Sequence, residues 1–237
     1  MDIYTRNYRV LSGDADPNLD LKISTLFNWL QESAMAHTIE LGFSKEQTYD
    51  RGLLWVVIQY RLRIARLPSY LEDVILTSWL GKDMRLFFAR YFSLTGADGE
   101  PLADASSYWT IMSKETREMV FPAEHSISVK ETVTGKEIPL PSRIHTAEPE
   151  MTSSFTVPYS YLDLNGHMNN VRYFDLALDH MSDEFRSRTP KEICADFIGE
   201  ARYQDQLSLG IHTEKDRFLL TGDRDKNIFR LDYRFEL

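Results

Sequence analysis

The chain has 237 residues, of which 43% are hydrophobic and 27% charged, with a formal net charge of -9 and a pI near 5.2. That length allows one large domain or two modest ones with a sizeable core, and the composition excludes disordered, collagen-like and membrane classes. The acidic balance argues against a general nucleic-acid binder, which would carry a basic stripe, while leaving room for a local basic patch.

In chain order, the N-terminus opens Met1-Asp2-Ile3-Tyr4-Thr5-Arg6, with neither an apolar signal region nor an Arg/Ser-rich transit segment. A helix is expected over Thr25–Leu41. Leu26, Leu30, Ala34 and Ile39 recur at helical spacing, Phe27 and Trp29 widen the apolar face, and Gly42 is a plausible stop. Strands are expected at Trp55–Ile64, Val74–Leu80, Arg85–Thr95 and Ala103–Met112, with hairpin chemistry at Ala97-Asp98-Gly99. Pro122, Gly135, Pro139, Pro141 and Pro149 then punctuate a stretch with few periodic apolar residues, which reads as a linker or a loose crossing. After it the order returns. Phe155–Tyr161 reads as a strand and Asn170–Met181 as a helix with Val171, Phe174, Leu178 and Met181 on one face. Ile193–Tyr203, Gln206–Thr213, Arg217–Thr221 and Ile228–Phe235 read as strands. The repeated order of a helix followed by antiparallel strands predicts an α+β fold with weak internal duplication. A curved sheet wrapped around its own helix, the hotdog arrangement, fits the wide apolar face of the first helix, and periodicity alone does not separate it from other α+β folds. The expected domains are residues 1–121 and 151–237, joined by a linker at 122–150.

No apolar run approaches the roughly 18 residues of a membrane span. Cys194 is the single cysteine, so no intramolecular disulfide can form, and no Cys/His cluster has zinc spacing. A reducing compartment, the cytoplasm, is the expected location. No metal and no cofactor are expected.

The stretch Asp163-Leu164-Asn165-Gly166-His167-Met168-Asn169-Asn170 carries the chemistry. In an extended segment, Asp163, Asn165 and His167 can converge. The helix that follows offers free N–H groups and a positive dipole end, which can stabilise an oxyanion. A carboxylate, an imidazole and an oxyanion site suffice for acyl transfer to water. The same residue types are also ordinary turn and capping residues.

This segment resembles the Asp-x-Asn-x-His-x-Asn-Asn motif of plant and bacterial acyl-ACP thioesterases. Further resemblance lies in Leu30-Gln31-Glu32-Ser33-Ala34 with His37, in Trp55-Val56, in Thr77-Ser78-Trp79, and in Ser106 to Met112 followed by Thr116-Arg117 and Pro122. It covers nearly the whole chain. It implies a double hotdog, with chain-length selection in the first half and catalysis in the second. The implied reaction hydrolyses fatty acyl-ACP to free fatty acid and holo-ACP in fatty acid biosynthesis. By resemblance Asp163, Asn165 and His167 belong to the catalytic site. The family also carries a Glu-Cys pair on a later strand. Glu200 is retained here, but Ala201 stands where the cysteine would be, so no cysteine nucleophile can act at that position. Cys194 lies seven residues earlier, roughly 23 Å away at strand rise, and reads as a core residue. Asp163 is favoured as the essential carboxylate, either attacking the thioester to give an anhydride or activating water. Glu200 would orient or activate water, and His167 and Asn165 would polarise or position the thioester. A structural reading of Glu200 pairs it with Arg202 or Arg172.

Leu26–Leu30 and Trp55–Ile58 are expected to line an acyl tunnel, against a reading as plain core. The implied partner is acyl carrier protein, itself acidic. Arg61, Arg63 and Arg66, or Arg186, Arg188 and Lys191, are candidate docking cations, against a reading as solvated faces. An acyl-CoA thioesterase of the wider hotdog class and a non-catalytic acyl-binding protein stay open as alternatives. A double hotdog contains the pairing that single hotdogs reach by dimerising, so either a monomer or a homodimer is expected.

Overall fold

A computed structural model describes residues 2–236. It has the double hotdog architecture, in two compact units. One contains the residues up to Lys22 and Leu26–Pro141; the other contains Ile23–Thr25 and the residues from Ser142 onward.

The first unit has strands β1 (Ile3–Arg9), β2 (Leu53–Ile64), β3 (Asp73–Met84), β4 (Phe87–Gly96) and β5 (Pro101–Ser113), and helix α1 (Ile23–Glu40). The strands pair antiparallel in the order β1-β3-β4-β5-β2. The β4–β5 turn closes as its residues predict. Gly99 takes φ +89° and donates to the Gly96 carbonyl, and the Asp98 carboxylate accepts from the Glu100 N–H at 3.0 Å. Strand β1 was not foreseen, because Thr5, Arg6 and Asn7 interrupt any apolar alternation. It is an edge strand held by its pairing with β3, Ile3 opposite Trp79.

Helix α1 buries Leu26, Phe27, Trp29, Leu30, Ser33, Ala34, His37 and Thr38. Each of the large apolar side chains contributes about 1.5–3 kcal/mol by leaving water. Ile39, expected on the apolar face, is instead 54% exposed. His37 and Thr38 take the last buried turn, because a polar cluster waits for them there. The buried guanidinium of Arg90 donates to His37 Nδ1 (2.9 Å), Ser78 Oγ (3.0 Å) and Thr38 Oγ1 (3.0 Å). Burial pulls the Arg90 pKa down to about 10.

The second unit has β6 (Met151–Thr156), helices α2 (Arg172–His180) and α3 (Asp183–Arg186), and strands β7 (Glu192–Phe197), β8 (Gln206–Glu214), β9 (Arg217–Asp223) and β10 (Asn227–Arg234). Its antiparallel order is β7-β10-β9-β8-β6. Helix α2 buries Tyr173, Phe174, Leu176 and Ala177. Tyr173 stacks on Phe229 with ring centroids 4.3 Å apart, and burial pushes its phenol pKa up. Leu178, expected on the buried face, is 42% exposed. Val171, Phe174 and Met181 are buried as expected, and the face widens to Tyr173, Leu176 and Ala177, with Tyr173 and Phe174 against the rings of Phe197 and Phe229.

Residues 122–150 form no strand. Within the first unit, Thr132 bonds the Leu80 carbonyl, and Ser106 Oγ donates to the Pro139 carbonyl at 2.6 Å. Within the second unit, Ile144 packs with Cys194 and Leu219, and Arg217 donates to the His145 carbonyl. Prolines suit this course, since an extended segment lying on a sheet face needs few of its own N–H groups.

Candidate active site

The second unit brings three of the four sequence-derived residues into one arrangement, starting from a tight turn. Leu162 and Met168 form an antiparallel bridge, the Asp163 N–H donates to the His167 carbonyl (2.7 Å), and the Gly166 N–H donates to the Asp163 carbonyl (3.0 Å). Gly166 has φ +77°, a conformation that disfavours any residue with a Cβ. Inside the turn, Asp163 Oδ1 accepts from the N–H groups of Asn165 (2.8 Å) and His167 (3.2 Å). The Asp163 carboxylate therefore shapes the turn that presents His167. Its other oxygen, Oδ2, accepts no hydrogen bond among the described residues.

Glu200 arrives from the end of β7. That strand stops at Phe197, short of the expected Tyr203. The N–H groups of Ile198 and Gly199 both turn to the Ile228 carbonyl, at 2.8 and 2.9 Å, so the regular ladder ends. At Gly199 a Cβ would lie 2.9 Å from Ile228 Cδ1, so a larger residue there would have to displace that side-chain end. The chain then runs beside the turn. The Met168 N–H donates to the Ala201 carbonyl at 2.7 Å, and His167 bridges Arg202.

The result is a contact of 3.2 Å between His167 Nε2 and Glu200 Oε2, with side chains 13% and 32% exposed. The histidine is shielded yet reachable. Neither arginine considered as a partner for Glu200 takes that place in an ion pair. Arg172 pairs with Asp175 at 3.0 Å and lies over the Tyr161 ring, and Arg202 forms no ion pair among the described residues.

Asn165 is exposed on the turn, and its backbone N–H is what the turn uses. The start of α2 is also largely occupied. Asn169 Oδ1 accepts from the Val171 N–H, and the Arg172, Tyr173 and Phe174 N–H groups bond carbonyls three residues back. An oxyanion site built from that whole first turn is therefore not available. Ala201 is fully buried. Cys194 is buried in the cluster with Ile144 and Leu219 and does not face the turn.

The expected docking cations are mostly engaged elsewhere. Arg66 is held between Glu72 (2.9 Å) and Glu100 (2.5 Å), which raises its pKa. Arg186 pairs with Asp183 and Arg188 with Asp216, on the segment that leads into the start of β7, whereas Glu200 follows its end. One feature escaped the sequence reading. The rim of the turn carries exposed apolar side chains, with Leu164 83%, Tyr159 75% and Tyr203 51% exposed.

The family model of the acyl-ACP thioesterase N-terminal domain matches residues 1–127, and that of the C-terminal domain matches residues 144–235. A chloroplastic acyl-[acyl-carrier-protein] hydrolase of Cuphea viscosissima is 24% identical over 208 residues, which are 81% of this chain and 50% of that protein. A chloroplastic oleoyl-acyl carrier protein thioesterase of Arabidopsis thaliana is 25% identical, covering 85% of this chain and 60% of that one. The chain thus spans about half the length of the curated relatives it matches. Among solved structures, an acyl-ACP thioesterase from Bacteroides thetaiotaomicron superposes with a TM-score of 0.87 at 24% identity, covering 99% of this chain and 98% of that one. The 12:0-ACP thioesterase from Umbellularia californica gives 0.82 at 18% identity, covering 100% and 98%. These two superpositions establish the fold, and the two domain models, which together span most of the chain, establish its membership: the protein belongs to the acyl-ACP thioesterase family.

Proposed function

We propose that the protein hydrolyses the thioester of fatty acyl-ACP, releasing free fatty acid and holo-ACP. The observation that carries this reading is the His167–Glu200 contact, set beside the Asp163 turn. A carboxylate against an imidazole favours the imidazolium and so makes the ring a better proton acceptor. In the proposed route, the His167–Glu200 pair takes a proton from water as it attacks the thioester carbonyl carbon. The C–S bond then breaks, and the proton passes to the leaving thiolate. Asp163 holds the turn through Oδ1 and offers Oδ2 to water or to the carbonyl carbon. Asn165, exposed at the turn, would touch the incoming thioester in this route. No cofactor is called for.

Residues 1–121 are proposed to select chain length and residues 151–237 to carry out the chemistry. Trp55 supports the first assignment. Its indole N–H is buried without an acceptor, amid the rings of Phe43 and Phe88, so the site does without the polar partner that a settled core usually supplies. A reducing compartment, the cytoplasm, fits a chain whose single cysteine is buried and can form no intramolecular disulfide.

The test is thiol release from a panel of acyl-ACPs and matching acyl-CoAs, with wild type and Glu200→Gln. Turnover of acyl-ACP that collapses in the variant is the expected result. No release from either carrier by the wild type would end the hydrolase reading.

A further inference from the structure

A carrier that presents its thioester on an arm must dock within that arm's reach of the catalytic turn. The surface there is unusual for an acidic chain. Among the described large hydrophobic residues, Leu164 and Tyr159 are the most exposed after Val133. Single exposed apolar residues are common on soluble proteins and mean little. These are not scattered. Leu164 lies within the Asp163–His167 turn. Tyr159 and Tyr203 meet edge to face at 5.8 Å, on segments joined by the Gln204 N–H to the Val157 carbonyl. Tyr203 directly follows Arg202, which bridges His167.

A rigid pair of tyrosines with exposed faces costs little conformational entropy to dock against, and such residues dominate binding hot spots. The rim also carries one exposed cation, Arg202, which forms no ion pair among the described residues, whereas Arg224 nearby is held by Asp205. An acidic protein would meet Arg202 with complementary charge. A charge of this kind orients and speeds encounter more than it adds affinity.

We infer that Tyr159, Leu164, Tyr203 and Arg202 form the surface on which the acidic acyl carrier protein docks, with the apolar side chains supplying affinity and Arg202 supplying orientation. This rests on the hydrolase reading above and deepens it. It also moves docking away from Arg61, Arg63 and Arg66 and from Arg186, Arg188 and Lys191.

The test compares wild type with Tyr159→Ala/Tyr203→Ala and with Arg202→Glu, each assayed on acyl-ACP and on acyl-CoA of the same chain length. The tyrosine variant should lose about 10-fold in kcat/KM on acyl-ACP, mainly through KM, and change less than about 2-fold on acyl-CoA. Arg202→Glu should lose activity on acyl-ACP chiefly at low salt. Equal losses on both carriers would mean that the substitutions disturb the turn itself, and no loss on either would mean that the carrier docks elsewhere; both outcomes overturn the inference. So would a fall in sedimentation mass for the tyrosine variant, which would mean that a second copy of the chain covers this rim. A wild type inactive on acyl-ACP would instead sink the hydrolase reading.

Discussion

Each unit of the protein holds a histidine beside a charged partner, and the two partners are of opposite sign. In the first unit, His37 sits on the last buried turn of α1, fully buried and stacked against Tyr4 at 5.8 Å. Its charged neighbour is Arg90, and a guanidinium can only donate. His37 Nδ1 must therefore accept, which fixes a neutral ring with its proton on Nε2. In the second unit, His167 sits in a loop, partly open, and its charged neighbour is a carboxylate. That partner tolerates a proton on the ring. One imidazole accepts from a guanidinium in a buried cluster, and the other faces a carboxylate, which in the proposed route lets it exchange protons. What an imidazole does is decided by the sign and exposure of its neighbour.

The helices differ in the same sense. Helix α1 has 18 residues and places polar and apolar side chains alike out of water. Helix α2 has 9 residues, buries one face and leaves Leu178 outside. The first unit is organised around a long buried element, whereas the second leaves its helix shorter and places the Asp163–His167 turn before it.

The contrast between the histidines can be broken most strongly at the loop. His167→Ala should lower kcat by about 10²- to 10⁴-fold while leaving the melting temperature nearly unchanged, read by thiol release and calorimetry. Asp163→Asn sharpens this result. The amide oxygen can still accept the Asn165 and His167 N–H groups, so the turn should persist. Measurable residual turnover in Asp163→Asn supports water attack through His167 and Glu200, whereas activity as low as in His167→Ala returns Asp163 to the role of nucleophile. The next largest effect should be on stability. Leu30→Ala in α1 should cost about 2–5 kcal/mol in denaturant unfolding, because Leu30 is 1% exposed in a packed core. His37→Leu should cost about 1.5–3 kcal/mol, because it leaves a buried guanidinium short of an acceptor. A His37→Leu variant as stable as wild type would mean that Arg90 re-forms its bonds without the ring. The smallest change belongs to α2. Leu178→Ser should stay within about 0.5 kcal/mol, because that side chain already meets solvent.

Much of this could be read along the chain. The α1 boundaries came from apolar spacing, and most strand positions came from alternation, since both follow from local periodicity. Of the two readings of Asp163-Leu164-Asn165-Gly166-His167, the extended one fails and the turn holds, closed by Gly166 and the Asp163 carboxylate. The misses share one cause. Ile39 and Leu178 fit an apolar stripe by spacing, but a stripe is only as wide as its partner surface, and those partners lie far along the sequence. The end of β7 was placed six residues late, at Tyr203 instead of Phe197, because nothing local reveals that Ile198 and Gly199 both turn to one carbonyl on β10.

The sequence by itself determined most of the element order, the α+β class and the identity of the chemical groups, because each depends on residue type and short-range spacing. It also determined that no cysteine follows Glu200, and hence which chemistry is closed to this chain. Only the tertiary structure decided that Glu200 meets His167 and not Arg172 or Arg202, that Arg90 is buried against His37, and that Tyr159 and Tyr203 form one surface. Those facts depend on strands that pair across many residues, and a side chain's partner is fixed by where the backbone brings it, not by what stands beside it in the chain.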